Sequence, residues 1–570
     1  MNGMKVQTFN LESYVLKSYN YLSNMIDRDG LPYFNVFWTE PAEAAHDWPD
    51  FGDIMPRQLQ AAIMGRYMVR EVVQVEKLWL AKILSYIDPI TGLFTCPETN
   101  FSNSISFIGD QMFTMYALVT AYMDSKDESL KNIAHNMSNS LLVEYNKSRF
   151  VTYPVSHPGC LIKSLMVCAR YMGCETALKL AELLVKDALE KLPIFTPDNT
   201  FRHGGHMHSN LRILMGIADY ALYTGKPDMY SRVDAIYRYI KSSATGFGFL
   251  PESIGRTGDI ISCETCAIMD YIALGTTLAN HGHPEYWGDI ERAVRNHLVE
   301  SQLNDTSWVI SDNSVEDTDQ FTYKNIGGRI KGSYAGWSSP NHILAARETL
   351  NKHWGGPELR DKTRLLQNCC GGSGTHAFYI AWKNAARFEN GCLLVNMHID
   401  KLLPQAEIRC FQPYKGLLSI KLKENCTVKI RIPGFVNPGE IKVKSSHGEK
   451  ESKVWGNYLE LGCRQADEVI HITYPLPICE EEISIGNPGA KQYKYRVTWK
   501  GDTVIRITYT GNDYKTGYSE YDNMDVPIYY GTEGPGLLYQ REYMLEELMP
   551  EPAAIQLDSG YPDFWYIKKD

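Results

Sequence analysis

The chain has 570 residues, 44% hydrophobic and 22% charged, an ordinary globular composition but too long for one core, so two or more domains are expected. A formal net charge of -10 argues against a nucleic-acid or anionic-membrane partner. Thirteen cysteines, an odd count at irregular spacing, do not read as a disulfide framework, which points to a reducing compartment with thiols free to bind metal. The start, Met1 to Tyr21, has neither the basic head nor the apolar centre of a signal peptide, and no apolar run is long enough to cross a bilayer, so a cytoplasmic location is expected. Aromatic residues make up 12% of the chain, which suits a large core better than it demands sugar stacking.

Along the first two thirds, apolar residues recur at helical spacing in about twelve segments: Leu11–Ile26, Pro56–Arg70, Val75–Ile87, Phe107–Tyr122, Leu130–Tyr145, Gly159–Met172, Thr176–Leu192, Gly205–Thr224, Met229–Ser243, Glu264–Ala279, Pro284–Ser301 and Thr375–Arg387. Short loops between long segments mean antiparallel hairpins. Six hairpins around an axis would make an (α/α)6 barrel with a central cleft; an open solenoid is the rival, although no fixed-length repeat supports it. The stretch Asn304–Asn368 interrupts this pattern with Gly327, Gly328, Gly332, Gly336 and Pro340, as loops that shape active sites do. From Gly391 the pattern becomes short strands, including Leu393–Met397, Val428–Ile432, Val469–Thr473 and Ile505–Thr508, which reads as a β-sandwich. The expected domains are therefore residues 1–389, the barrel, and 390–570, the sandwich.

Two short segments carry thiol chemistry, Cys263-Glu264-Thr265-Cys266 and Cys369-Cys370-Gly371-Gly372. Zinc favours thiolates completed by a carboxylate or imidazole, and both segments adjoin helix starts, where anions are stabilised. Against this, any single cysteine is more often core than ligand. Taken alone, the first pair reads equally as a zinc half-site, a redox pair or neither.

The chain resembles glycoside hydrolase family 127, the β-L-arabinofuranosidase family. The resemblance rests on Glu264-Thr265-Cys266-Ala267 and on Cys369-Cys370 about a hundred residues later. Gly205-His206 with Arg212 and Gly216-Ile217-Ala218-Asp219 adds to it, as do Glu291-Arg292-Ala293, Leu394-Val395-Asn396 and Arg431-Ile432-Pro433-Gly434. It implies a retaining glycosidase with a Zn2+ held by Glu264, Cys266, Cys369 and Cys370, and with Cys369 as nucleophile. It also implies an acid/base glutamate ahead of the Glu-x-Cys segment. Glu252, in Gly246-Phe247-Gly248-Phe249-Leu250-Pro251-Glu252, fills that place, with Asp259 as fallback and a solvated loop carboxylate as the bland reading. His206 is expected on a sugar hydroxyl, whereas His203 and His208 read as structural or exposed. The stretch His46-Asp47-Trp48-Pro49-Asp50 suits sugar binding through His46 and Trp48, although a helix cap at Asp53 explains part of it.

The chain departs from the family where two further histidines are usual, carrying Asp110-Gln111 and Gly159-Cys160-Leu161 instead. Asp110 and Gln111 are therefore candidate substrate contacts for an altered sugar, a related furanose or a branched acidic sugar such as aceric acid. An α/α-toroid epimerase or lyase would leave the cysteine segments unexplained. A non-catalytic carbohydrate-binding protein with a structural zinc would leave Glu252 dispensable. The expected partners are a glycoside or oligosaccharide and, at most, a second copy of the chain in a homodimer.

Overall fold

The computed structural model describes residues 7–37, 39–150, 157–191, 193–202, 205–254, 263–307, 309–334, 364–448, 451–485, 492–510 and 548–563. Its long helices are α1 (Glu12–Asn24), α2 (Met55–Val69), α3 (Glu76–Ser85), α4 (Ile108–Ser125), α5 (Glu128–Asn146) and α6 (Leu161–Met172). They continue with α7 (Glu175–Lys186), α8 (Met207–Thr224), α9 (Pro227–Ser242), α10 (Thr265–Asn280), α11 (Tyr286–Ala293) and α12 (Cys369–Ala385). Each overlies one of the twelve periodic segments. The last begins at Cys369 rather than Thr375, because glycines that weaken a helix in isolation allow close packing here.

Helices α2, α4, α6, α8, α10 and α12 pack each against the next, and α12 returns against α2. The ring is closed, which separates an (α/α)6 barrel from a solenoid. The other six helices lie outside it. Burial follows the layers: every residue of α10 from Thr265 to Ala279 is buried, whereas α3 buries only Trp79 and Ile83. A helix surrounded by protein is apolar nearly all round, and one on the surface keeps a single stripe. Between α6 and α8, Lys163 and Asp219 form a fully buried ion pair.

Four short strands make a small antiparallel sheet beside the ring, in the order Phe321–Thr322, Glu43–Ala45, Asn35–Phe37 and Arg364–Gln367. The last runs directly into α12. Strand pairing for the second unit begins at Ala386. One five-stranded sheet runs Lys442–Ser445, Val469–Thr473, Leu417–Leu422, Ala406–Cys410 and Lys401–Leu402. The other runs Lys453–Trp455, Tyr458–Arg464, Cys426–Arg431, Cys392–Val395 and Ala386–Glu389. Alternation places Ile408, Ile420, Val428, Ile430, Leu459 and Ile470 in the core. Ile478–Ile485, Tyr493–Lys500 and Thr503–Tyr509 add a three-stranded sheet.

Barrel and strands meet through buried polar groups. Glu291 of α11 accepts from Arg295 at 2.8 Å and from the His398 N–H at 2.9 Å, and it pairs with Arg431 from the sandwich. Tyr561, near the C-terminus, returns to the barrel, donating to the Thr120 carbonyl at 2.7 Å and stacking on Tyr67. Among the described residues, no helix is long and apolar enough to cross a membrane.

Candidate active site

The two cysteine segments converge because their helices are neighbours in the ring. The Asn368 N–H donates to the Phe34 carbonyl at 2.8 Å, and its side-chain amide donates to the Tyr33 carbonyl at 2.6 Å. These bonds fix the chain where the strand turns into α12, so Cys369 and Cys370 occupy the first helical turn. Gly371 allows this: a Cβ there would lie 2.2 Å from the Tyr21 ring. On α10, Glu264 is the cap residue and Cys266 lies in the first turn. Two helix N-termini, each favourable to negative charge, thus stand side by side.

Cys266 Sγ lies 3.5 Å from Cys370 Sγ, Cys369 Sγ 4.0 Å from Cys370 Sγ, and Cys369 Sγ 3.9 Å from Glu264 Oε1. The four ligand atoms all fall within 4.8 Å of one another, so the cluster can hold a metal ion. Tetrahedral zinc with bonds of about 2.3 Å to sulfur needs S···S edges of about 3.8 Å, which these separations bracket. Burial pushes the Cys266 and Cys370 thiols well up, and Cys369 is pushed up by its neighbour Cys266. Cys266 and Cys370 are wholly buried, while Cys369 is partly accessible.

Beside the cluster, Gly205–His206 pairs antiparallel with Ser253–Ile254, which brings His206 next to Glu252. His206 Nε2 lies 2.7 Å from Glu264 Oε2 and 4.0 Å from Glu252 Oε1, and its Nδ1 lies 3.0 Å from Ser209 Oγ. Burial works against charge on both His206 and Glu264. Their mutual attraction wins, holding the imidazole above and the carboxyl below its ordinary value. Glu252 is held from behind. The Met207 N–H donates to its carbonyl at 2.7 Å, and two residues earlier the Leu250 N–H donates to Cys263 Sγ at 3.3 Å. Cys263 thus anchors the loop and stands apart from the ligand set.

Under the cluster lies Arg57 of α2, which sequence reasoning missed. Its Nη1 donates to Cys266 Sγ at 3.3 Å and to Ser373 Oγ at 3.0 Å, while Nε donates to Asp53 Oδ1 at 2.9 Å. The same Nη1 lies 3.4 Å from Nε2 of His208, whose Nδ1 bonds Asp270. His208 is therefore structural and buried, and Asp53 serves as an ion-pair partner of Arg57 rather than a helix cap.

The remaining candidates sit as follows. His46 is buried, stacked on Tyr33, with Nδ1 2.7 Å from Asp50 and Nε2 3.5 Å from Asp27. Gln111 accepts from the Phe94 N–H at 2.8 Å and donates to the Phe94 carbonyl at 2.7 Å, pinning a loop. Asp110 is buried and accepts from the Cys96 thiol at 3.4 Å. Trp48 is partly buried against Phe107. Asp259 and His203 lie outside the described residues.

A closed ring of helical hairpins joined to paired five-stranded sheets, with a buried carboxylate–thiol cluster at the ring's helix N-termini, defines an (α/α)6-barrel protein with a β-sandwich. No family model matches the sequence, and no curated protein matches it. Among solved structures, the fold is similar to that of a GH127 β-L-arabinofuranosidase from Geobacillus stearothermophilus T6: TM-score 0.54, 12% identity, covering 86% of this chain and 80% of that one. A second GH127 β-arabinofuranosidase gives 0.56 at 15% identity over 87% and 78%, and a structure described as a glycoside hydrolase gives 0.55 at 13% over 85% of each. The fold of this chain is therefore GH127-like.

Proposed function

We propose that this chain is a retaining, exo-acting glycoside hydrolase in which Cys369, held with Glu264, Cys266 and Cys370 around Zn2+, is the nucleophile and Glu252 the acid/base. One observation carries the reading. Four ligand atoms from two remote segments lie within 4.8 Å of one another, and Cys369 is the least buried of the three cysteines. The likeness of fold to GH127 glycosidases supports it.

Zinc bound there keeps the thiols ionised at neutral pH, against a free pKa of about 8.5. The rest is the work of the chain. Cys369 Sγ forms a bond to the anomeric carbon as the glycosidic C–O bond breaks, and the Glu252 carboxyl gives its proton to the departing oxygen. The Glu252 carboxylate then takes a proton from water, whose oxygen attacks the same carbon as the C–S bond breaks. Two inversions give retention. His206, whose two ring nitrogens meet Ser209 and Glu264, would donate to a sugar hydroxyl by giving up one of those bonds, and Trp48 would supply an aromatic face for the sugar.

The substrate we assign is a β-L-arabinofuranoside or a related furanose or pectic sugar, aceric acid among them. Asp110-Gln111 stands where the family has one of its usual histidines, and Cys160 where it has the other. Buried and partnered as they are, Asp110, Gln111 and His46 would act on sugar choice through the loops they hold rather than by direct contact.

A panel of aryl furanosides and pectic oligosaccharides, assayed with and without a chelator alongside metal analysis, tests the proposal. Expected are about one zinc per chain and a hydrolysed furanoside whose turnover the chelator abolishes. Full turnover by metal-free protein, or metal-loaded protein inert on every glycoside, would refute it. An unsaturated product would instead indicate a lyase.

A further inference from the structure

Four anionic ligands around one divalent ion leave a buried cluster with two excess negative charges. A buried, uncompensated charge is costly, so the surrounding protein must answer it. Two basic side chains touch the ligands: His206 lies against the Glu264 carboxylate at 2.7 Å, and Arg57 meets a ligand sulfur, its guanidinium only 3% exposed and stacked 3.9 Å over the Phe113 ring. Its fork is divided. Nε and Nη2 face Asp53 Oδ1, and Nη1 is directed at Cys266 Sγ (3.3 Å) and Ser373 Oγ (3.0 Å). Asp53 and the ring below thus aim one N–H at a single ligand sulfur.

Resting on the metal-site reading above, we propose that Arg57 is a positioning residue that tunes the metal through Cys266. Its N–H draws electron density from that sulfur and offsets part of the cluster's charge, so the cation is held firmly without the nucleophile being bound by the same hydrogen bond. Asp53 is the adjuster. It shares the guanidinium charge and so limits how much reaches the sulfur.

The test uses the intact protein loaded with Zn2+ or Co2+. In Arg57→Met, zinc affinity measured by chelator competition should fall on the order of tenfold or more. The thiolate-to-cobalt charge-transfer band should move to longer wavelength, because the sulfur has lost its hydrogen bond. Arg57→Lys should recover part of both. Asp53→Asn, which leaves the guanidinium without its carboxylate, should move the band to shorter wavelength; this variant also serves if Arg57→Met does not fold. A role confined to packing would lower the melting temperature without moving the band, and an unmoved band in the variants that fold overturns the proposal. Failure of the unmodified protein to bind Zn2+ or Co2+ would instead refute the metal site itself.

Discussion

Glu291→Gln at the junction of barrel and sandwich should destabilise the protein by about 3–5 kcal/mol, the usual cost of removing one partner from a buried charge network. The carboxylate is fully buried between the Arg295 and Arg431 guanidiniums and also accepts the His398 N–H. Burial alone would raise its pKa; Arg431 and Arg295 overcome that and hold it down to about 2, against an ordinary 4.5. The folded protein therefore favours the ionised carboxylate, the direction that the mutational cost requires. A carboxylate depressed by folding contributes fully above its unfolded pKa, and the contribution is lost as pH falls through the folded value. The stability gap between the two proteins should therefore be full at pH 7, start to close near 4.5 and vanish towards 2. Urea unfolding of both proteins at several pH values measures it. A gap below about 1 kcal/mol at neutral pH, or one that ignores pH between 4.5 and 2, refutes the reasoning.

Four further outcomes are expected. Gly371→Ala forces a methyl against the Tyr21 ring, 2.2 Å away, which should cost about 1–3 kcal/mol and lower metal content. Gly434→Ala, with nothing within 4 Å of the added carbon, should leave both unchanged by the same melting and metal assays. Lys163→Met strands the buried Asp219 between α6 and α8 and should cost about 3–5 kcal/mol in denaturant titration; a change near zero would show the pair to be idle. Glu252→Gln should slow glycosides with poor leaving groups by about 100-fold or more and activated aryl glycosides far less. Equal slowing would remove Glu252 from the acid role.

The helical ring was legible because its inner helices must present apolar residues almost all round, a pattern that survives in single-sequence periodicity. Helix α12 was misplaced at its start. Gly371, Gly372 and Gly374 disfavour a helix locally, but Gly371 and Gly374 admit Tyr21 and Tyr334 at distances no side chain would tolerate, Gly372 packs tightly on Arg57, and only packing reveals that. The cluster of Glu264, Cys266, Cys369 and Cys370 was legible through the resemblance to GH127 rather than through spacing, since nothing local announces that Cys266 and Cys369 will meet. Arg57 and Asp270 went unread, and Asp53 was read as a helix cap, because their meaning lies in contacts across the ring. The return of Tyr561 to the barrel was likewise hidden, being written in tertiary hydrogen bonds rather than in any period.

The most direct measurement is to trap the sugar on the enzyme. An activated furanoside analogue that forms a stable thioether, followed by peptide mass mapping, should place one sugar per chain on Cys369, and prior removal of zinc should prevent it. A label on Glu252 or Cys370, or continued turnover by Cys369→Ser, would contradict a metal-held cysteine nucleophile.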